Sequence, residues 1–288
     1  MSSILSGAVF AGVSRSEASR GAVRWAADEA AWRGLPLQLV HAQEWPPGTS
    51  PKAGPGHPAH LWSLRFRTTG EGLLRDALNR ALERHPGLEV TTRLAEGRAV
   101  HVLREASEHA FQLVLGERRL NESELVLSPT GKGESLVGHV PCLLTVVPQQ
   151  PLEHQGDGPV VVGVDGSADS AHAVEVAFQE AARGGVGLLA VEVRRPREAG
   201  RPDFLEEVHY DVSQALAGWR EKYPDTAVEW EVLTGHPALM LSTVSRHAHC
   251  LVVGSRGRGG FRDMILGSTS RSLVHRVHCP LLVVPGAR

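Results

Sequence analysis

Cysteine is scarce in this chain, and the three present, Cys142, Cys250 and Cys279, form no C-x-x-C pair. An odd count at such wide spacing is a poor disulfide framework. Lysine is nearly absent too, occurring only at Lys52, Lys132 and Lys222, so the positive charge is almost all arginine. Acids balance it, and the formal net charge is -2 at pH 7. No excess of one sign is available to attract nucleic acid or an anionic membrane, so any anion site has to be local. No apolar stretch approaches the roughly 20 residues needed to span a bilayer. The opening "MSSILSGAVFAGVSRS" has no basic region before its apolar run, and reads as a first strand rather than a signal peptide. The expectation is a soluble, cytoplasmic protein. Two nucleotide signatures are also missing. The pattern G-x-x-x-x-G-K-[ST] is absent, because Gly131-Lys132-Gly133 lacks both the upstream glycine and the following hydroxyl. No G-x-G-x-x-G follows a candidate first strand, which disfavours a dinucleotide fold.

What is present is ordinary in composition and repeated in order. With 288 residues, 42% hydrophobic and 22% charged, the chain has the makings of one large globular domain or two of usual size. "AVFAGVSRSEASRGAVRWAADEAAWRGLPLQLVHAQ" aligns with "PVVVGVDGSADSAHAVEVAFQEAARGGVGLLAVEVR", placing Gly12 on Gly163, Val13 on Val164, Ser16 on Ser167 and Ala22 on Ala173. "FQLVLG" ending at Gly116 matches "HCLVVG" ending at Gly254, and "PCLLTVVP" matches "HCPLLVVP". This is a tandem duplication. Its seam is the Pro/Gly/Gln-rich Pro148 to Pro159, which sets domains at 1–150 and 157–288.

Each copy alternates strand-like and helix-like runs. In the second, "PVVVGVD" is a continuous apolar run of the kind buried on both faces of a parallel sheet. Val174, Ala177, Phe178 and Ala181 follow at helical spacing. "GLLAVEVR", "AVEWEVL", "CLVVG" and "LLVVP" are the later strands. The helices between them carry a face at Val208, Val212, Ala215, Leu216 and Trp219, then Pro237 to His247, then Ser268 to His278. In the first copy Leu74, Ala77, Leu78, Ala81 and Leu82 mark the second helix. Strict alternation predicts right-handed crossovers and a doubly wound parallel sheet in each copy.

Ligands in such sheets bind beyond the carboxyl ends of the strands. Two places in the second copy carry suitable chemistry there, "VVVGVDGS" and "LVVGSRGRGG". If their strands are neighbours, Asp165 and Gly254 face each other across one crevice. Glycines permit positive φ and close backbone approach, and Gly267, Ser268, Thr269 and Ser270 stand where a helix begins, with unpaired N–H groups and hydroxyls for phosphate oxygens. Arg256, Arg258 and Arg262 are there to add charge. The alternative is a plain surface turn with one serine capping the helix.

Gly254-x2-Gly257-x9-Gly267-Ser268 resembles the ATP-binding motif G-x2-G-x9-G-[ST] of universal stress proteins, and "VVVGVDGS" resembles that family's opening strand. The resemblance covers the whole chain as a tandem two-domain member. It implies two Rossmann-like, doubly wound α/β domains, each a five-stranded parallel sheet in the order 3-2-1-4-5, and ATP as ligand. By the same resemblance Asp165 and the backbone near Val193 hold the nucleoside end, and Gly254 to Ser270 the phosphates. Thr269 stands where the family often has valine. Asp165 is also a candidate to hold Mg2+. Fifth strands commonly pair in this family, so "CLLTVVP" and "CPLLVVP" are expected to join as a pseudo-dimer, and further copies to associate the same way.

The first copy departs from that motif. Ser14 replaces Asp165, Arg15 replaces Gly166, Arg119 replaces the second glycine, and Pro129-Thr130 replaces the Gly-Ser pair. Proline offers no N–H and cannot adopt positive φ. Glu117, Glu122 and Glu124 add negative charge where an anion would rest, against Arg118, Arg119 and Lys132 nearby. No ordinary ATP site is expected there. The expected function is an ATP-binding stress or signalling module without useful turnover, with no catalytic residue and no metal-ligand set assigned. The alternatives are a scaffold that binds no nucleotide and an ATP-cleaving enzyme; "VDGSADS" resembles a pyrophosphate loop only in part, because it lacks the paired glycines after a serine. "HAHC" and "HRVHC" hold zinc-type ligands, but read as helix-end histidines followed by buried thiols. Glu175 and Glu180 read as a solvated helix face, as do Asp203, Glu206 and Glu207. Trp45 to Trp62 reads as a long Pro/Gly loop.

Overall fold

The computed structural model describes residues 7–44, 58–117, 135–149, 158–194, 213–214, 216–257 and 267–286, with backbone only at 58–64. The chain divides into two compact units, one of Met1–Gly116 with Val140–Cys142, the other of Glu117–His139 with Leu143–Arg288.

The first unit follows the order β1 (Ala8–Gly12), α1 (Glu17–Arg33), β2 (Leu37–Gln43), α2 (Pro58–Arg84), β3 (Val90–Glu96), α3 (Ala99–Ser107) and β4 (Ala110–Glu117). Its strands lie in the order β3-β2-β1-β4, all parallel. Helix α1 starts where the Ser16 side chain accepts the Ser19 N–H and ends at Gly34, whose φ of 64° is the left-handed cap that glycine adopts without strain. Its buried stripe, Ala18, Ala22, Val23, Ala26, Ala27 and Ala30, is small enough to lie close on the sheet. Helix α2 buries Leu74, Ala77 and Ala81, three of the five positions its periodicity marks. It begins at Pro58, inside the stretch expected to be a loop to Trp62; proline in a first helical turn loses no hydrogen bond. Residues 45–57 lie outside the described residues.

The second unit contains β5 (Leu143–Pro148), β6 (Val160–Val164), α4 (Ala168–Gly184), β7 (Leu188–Arg194), α5 (Trp219–Lys222), β8 (Val228–Thr234), α6 (Pro237–Val244), β9 (Cys250–Gly254), α7 (Ser268–Leu273) and β10 (Leu281–Val284). Reading β8-β7-β6-β9-β10 gives the order 3-2-1-4-5 for the second repeat, every pair parallel. Beyond β10 the first repeat's fifth strand, β5, adds on antiparallel, Leu281 opposite Val146 and Val283 opposite Leu144. The expected pairing of fifth strands is therefore made within one chain. Strands β9, β10 and β6 are buried on both faces, and Leu188, Leu251, Leu281, Leu282 and Phe178 fill the core.

Three helices depart from the sequence pattern. The helix expected over Pro237 to His247 is α-helical only to Val244 and closes as a 3-10 turn at Ser245–His247. The helix expected to run to His278 stops at Leu273. Two serines of the neighbouring segment account for this. Ser242 donates to the Arg276 carbonyl at 2.9 Å and Ser245 accepts the His278 N–H at 3.0 Å, pinning the chain in a turn. Glu180 is the third case. It is 1% exposed rather than solvated and is ion-paired with Arg183, as its repeat counterpart Glu29, 2% exposed, is with Arg33 at 3.1 Å. Of the face expected at Val208 to Trp219, Leu216 is buried, while 195–212 and 215 lie outside the described residues, as do Asp203, Glu206 and Glu207.

Candidate functional site

Strand β6 delivers Asp165 to the carboxyl edge of the sheet. There Asp165 Oδ1 accepts the Ser167 N–H at 3.0 Å, Gly166 takes φ 72°, and Ser167 caps α4 by accepting the Ser170 N–H at 3.2 Å. The first repeat builds the same turn without an acid. Ser14 Oγ accepts the Ser16 N–H at 3.3 Å, Ser16 Oγ accepts the Ser19 N–H at 3.2 Å, and the Ser14 N–H donates to Ser19 Oγ at 2.8 Å. A hydroxyl suffices for the turn. What Asp165 adds is charge and a second oxygen.

That second oxygen faces the glycine turn after β9. Neither Gly254, Gly257 nor Gly267 has positive φ, so these glycines are needed for space rather than for a left-handed backbone. Their reasons differ. A Cβ on Gly254 would lie 2.8 Å from Asp169 Cβ and 2.9 Å from its carbonyl carbon, because the first turn of α4 presses on the end of β9. Gly116 meets the backbone of Ala18 and Ser19 in the same way. The first motif glycine is thus a packing residue, which explains why both repeats have it. A Cβ on Gly257 would instead fall inside 3.0 Å of Asp165 Oδ2, with the Asp165 Cγ next at 3.5 Å. The second motif glycine and the opening-strand acid therefore face each other directly. Gly267 sits 3.0 Å from Ser255 O by the same measure and donates its own N–H to that oxygen at 3.0 Å.

The remaining expected residues separate into two groups. Ser268 is exposed, Thr269 is half-buried, and their N–H groups open α7, where no intrahelical acceptor precedes them. Val193 is half-buried on β7, and Val164 pairs with Glu192, so the register sets Val193 beside Asp165. Ser270 and Arg256 are engaged internally. Ser270 is 2% exposed, its hydroxyl 3.0 Å from Ser255 O and 3.1 Å from Gly267 O. The Arg256 backbone N–H and its Nε donate to Asp169 Oδ2 at 3.1 and 3.2 Å. Asp169 is the residue that sequence reasoning missed. An acid in a first helical turn looks like a dipole partner, and nothing in its spacing points to β9. Arg258 and Arg262 lie outside the described residues, as does 118–134, which carries Arg119, Glu122, Glu124, Pro129, Thr130 and Lys132.

The His/Cys runs precede β9 and β10, which are neighbours, but Cys250 and Cys279 are buried core groups, and burial pushes the Cys279 thiol up. Among the described residues no cluster of three His, Cys, Asp or Glu is arranged to hold a metal ion. Among the same residues no helix is long and apolar enough to cross a membrane.

The model of the Universal stress protein family matches the chain twice, over residues 8–148 and 158–285. Universal stress protein Rv2005c of Mycobacterium tuberculosis is 32% identical over 292 residues, covering 96% of each chain. Rv2623 of the same organism is 32% identical over 288 residues, covering 96% of this chain and 95% of its own. A crystal structure of a universal stress protein from Archaeoglobus fulgidus superimposes with a TM-score of 0.71 at 18% identity, covering 98% of this chain and 97% of that one, and shares the fold. With two copies of the doubly wound sheet and one matching family segment on each, the chain belongs to the universal stress protein family as a tandem member.

Proposed function

We propose that the second unit is an ATP-binding module, and that nucleotide occupancy rather than turnover is what the protein contributes to stress signalling in the cytoplasm. One observation carries this reading. Gly257 and Asp165, brought from different strands, meet so closely that a Cβ on Gly257 would fall inside 3.0 Å of Asp165 Oδ2, which sets bare backbone beside a carboxylate at the edge of the sheet. In the proposed complex Asp165 and the Val193 backbone hold the nucleoside end, and Asp165 is also the candidate Mg2+ ligand. The Ser268 and Thr269 hydroxyls and N–H groups, with the backbone at Gly257, hold the phosphates. Ser270, Gly254 and Gly267 shape the turn, since their polar groups or surfaces are already committed, and Arg256, whose side chain stays 45% exposed, anchors it through its N–H and Nε. Bound ATP supplies a polyanion whose charge the opening of α7 accommodates.

The first unit is read as a scaffold, because Ser14 keeps the turn and removes the acid. Association of further copies through β10 is restricted, since β9 and β5 occupy both of its edges. Calorimetric titration of the intact chain with ATP tests the assignment. A saturable response with one site per chain is expected, and a flat response to millimolar ATP would leave only the scaffold reading.

A further inference from the structure

Next to Gly257, Arg256 is held by a carboxylate with no expected part in the site. Asp169, in the first turn of α4, is 7% exposed, and a single oxygen of it collects three donors. Oδ2 accepts from the Ser255 hydroxyl at 3.1 Å, the Arg256 N–H at 3.1 Å and the Arg256 Nε at 3.2 Å. Hydrogen bonds to an ionised acceptor are about twice as strong as neutral ones, and the Ser255 bond is buried from water, while the two from the exposed Arg256 are buried in part. The arginine is folded back so closely that a Cβ on Gly286 would fall inside 3.0 Å of its Nη2.

Ser255 extends the network to the other end of the motif. It is 3% exposed, its N–H donates to Val284 O at 2.8 Å, and its carbonyl accepts from the Gly267 N–H and the Ser270 hydroxyl, both at 3.0 Å. Residues 255–257 and the opening of α7 therefore hang on one hub, and Asp169 is its only charged acceptor among the described residues. The first repeat has Ala18 at this position, between the matched serines Ser16 and Ser19, and so has no such acid.

We propose that Asp169 is a positioning residue that fixes the 255–257 turn and the start of α7 in their ligand-ready arrangement before nucleotide arrives. The proposal rests on the nucleotide reading above and adds where its phosphate selectivity originates. Preorganised donors lose less on binding, and the turn that Asp169 holds belongs to the phosphate end. Removing the latch should therefore weaken grip on phosphates far more than on the nucleoside end at Asp165 and Val193, which meets that turn at Gly257.

The test compares the wild-type chain with Asp169→Ala and Asp169→Asn, titrating each with ATP and with adenosine, and following amide hydrogen exchange at 255–257 and 267–270 without ligand. Asp169→Ala is expected to lose about tenfold or more in ATP affinity, with adenosine affinity held within about twofold. The same amides exchange faster. Asp169→Asn keeps an oxygen for the Ser255 hydroxyl and the Arg256 N–H, so it recovers part of both effects. Equal losses for ATP and adenosine would reduce Asp169 to a general stabiliser and overturn the proposal, as would unchanged ATP affinity. A wild-type chain that binds neither ligand sinks the nucleotide reading and the binding role with it, while the exchange comparison still reports whether the latch exists. If Asp169→Ala does not fold, Asp169→Asn decides the matter by its ATP-to-adenosine ratio.

Discussion

Gly257→Asp perturbs the site at the point where the glycine turn and the opening-strand acid meet. The new carboxylate would stand beside Asp165 Oδ2 and beside any phosphate held there. Two unit charges about 4 Å apart in surroundings of effective dielectric about 20 repel by roughly 4 kcal/mol. Gly257 and Asp165 are both half-buried, so solvent and salt reduce this to about 2–3 kcal/mol. That corresponds to a loss of roughly 30- to 150-fold in ATP affinity. The fold should survive, because the atoms in the way are those of the Asp165 side chain, which can turn aside, and not backbone. Gly257→Ala separates bulk from charge and should cost only a few-fold. Calorimetry with ATP, alongside thermal melting of each variant, gives the readout. Unchanged affinity in a folded Gly257→Asp chain would refute the placement of the phosphates. Equal damage from Ala and Asp would refute the electrostatic part of the reasoning.

Other substitutions test the division of labour within the motif. Gly254→Ala and Gly116→Ala each drive a methyl into the backbone of a helix's first turn, so each should cost about 1–3 kcal/mol and lower the melting temperature, in both repeats alike; melting points equal to wild type would deny the packing role. Ser14→Asp should be tolerated by its turn, as Asp165 is by its own, yet leave the ATP stoichiometry at one site per chain; a second site would show that the acid alone decides. Burial raises the Cys142 thiol to about 12, and Cys279 is raised likewise, so both are neutral at about pH 8 and should resist alkylation until the chain is unfolded, as mass spectrometry of native and denatured samples would show.

The alternation of strands and helices was legible because continuous apolar runs and period-3.6 apolar spacing are imposed by the core itself, the latter at Val174, Ala177, Phe178 and Ala181, all of them buried. Strand order was not legible from chain order; the family resemblance supplied it, and the β6–β9 pairing agrees. Helix ends were misjudged where side chains from elsewhere terminate them, as Ser242 and Ser245 do after Leu273. Glu180 was misplaced because a charged residue on a helix is normally solvated, and its pairing with Arg183 helps make burial tolerable. In the site, the sequence set Asp165 opposite Gly254, but Gly254 lies against Asp169 and it is Gly257, three residues further on, that meets Asp165. The different jobs of Gly254 and Gly257 were not legible, because a glycine's reason lies in what a Cβ would strike. Asp169 was invisible for the same cause: its partners are 86 and 87 residues away along the chain.

The central claim is tested most directly by amide chemical shifts of the isotopically labelled intact chain as ATP is added. The account predicts saturable shifts at Gly257, Ser268 and Thr269, with Val193 following, and none at Ser14 to Ser16. Shifts centred on the first unit, or a spectrum unmoved at millimolar ATP, would contradict it.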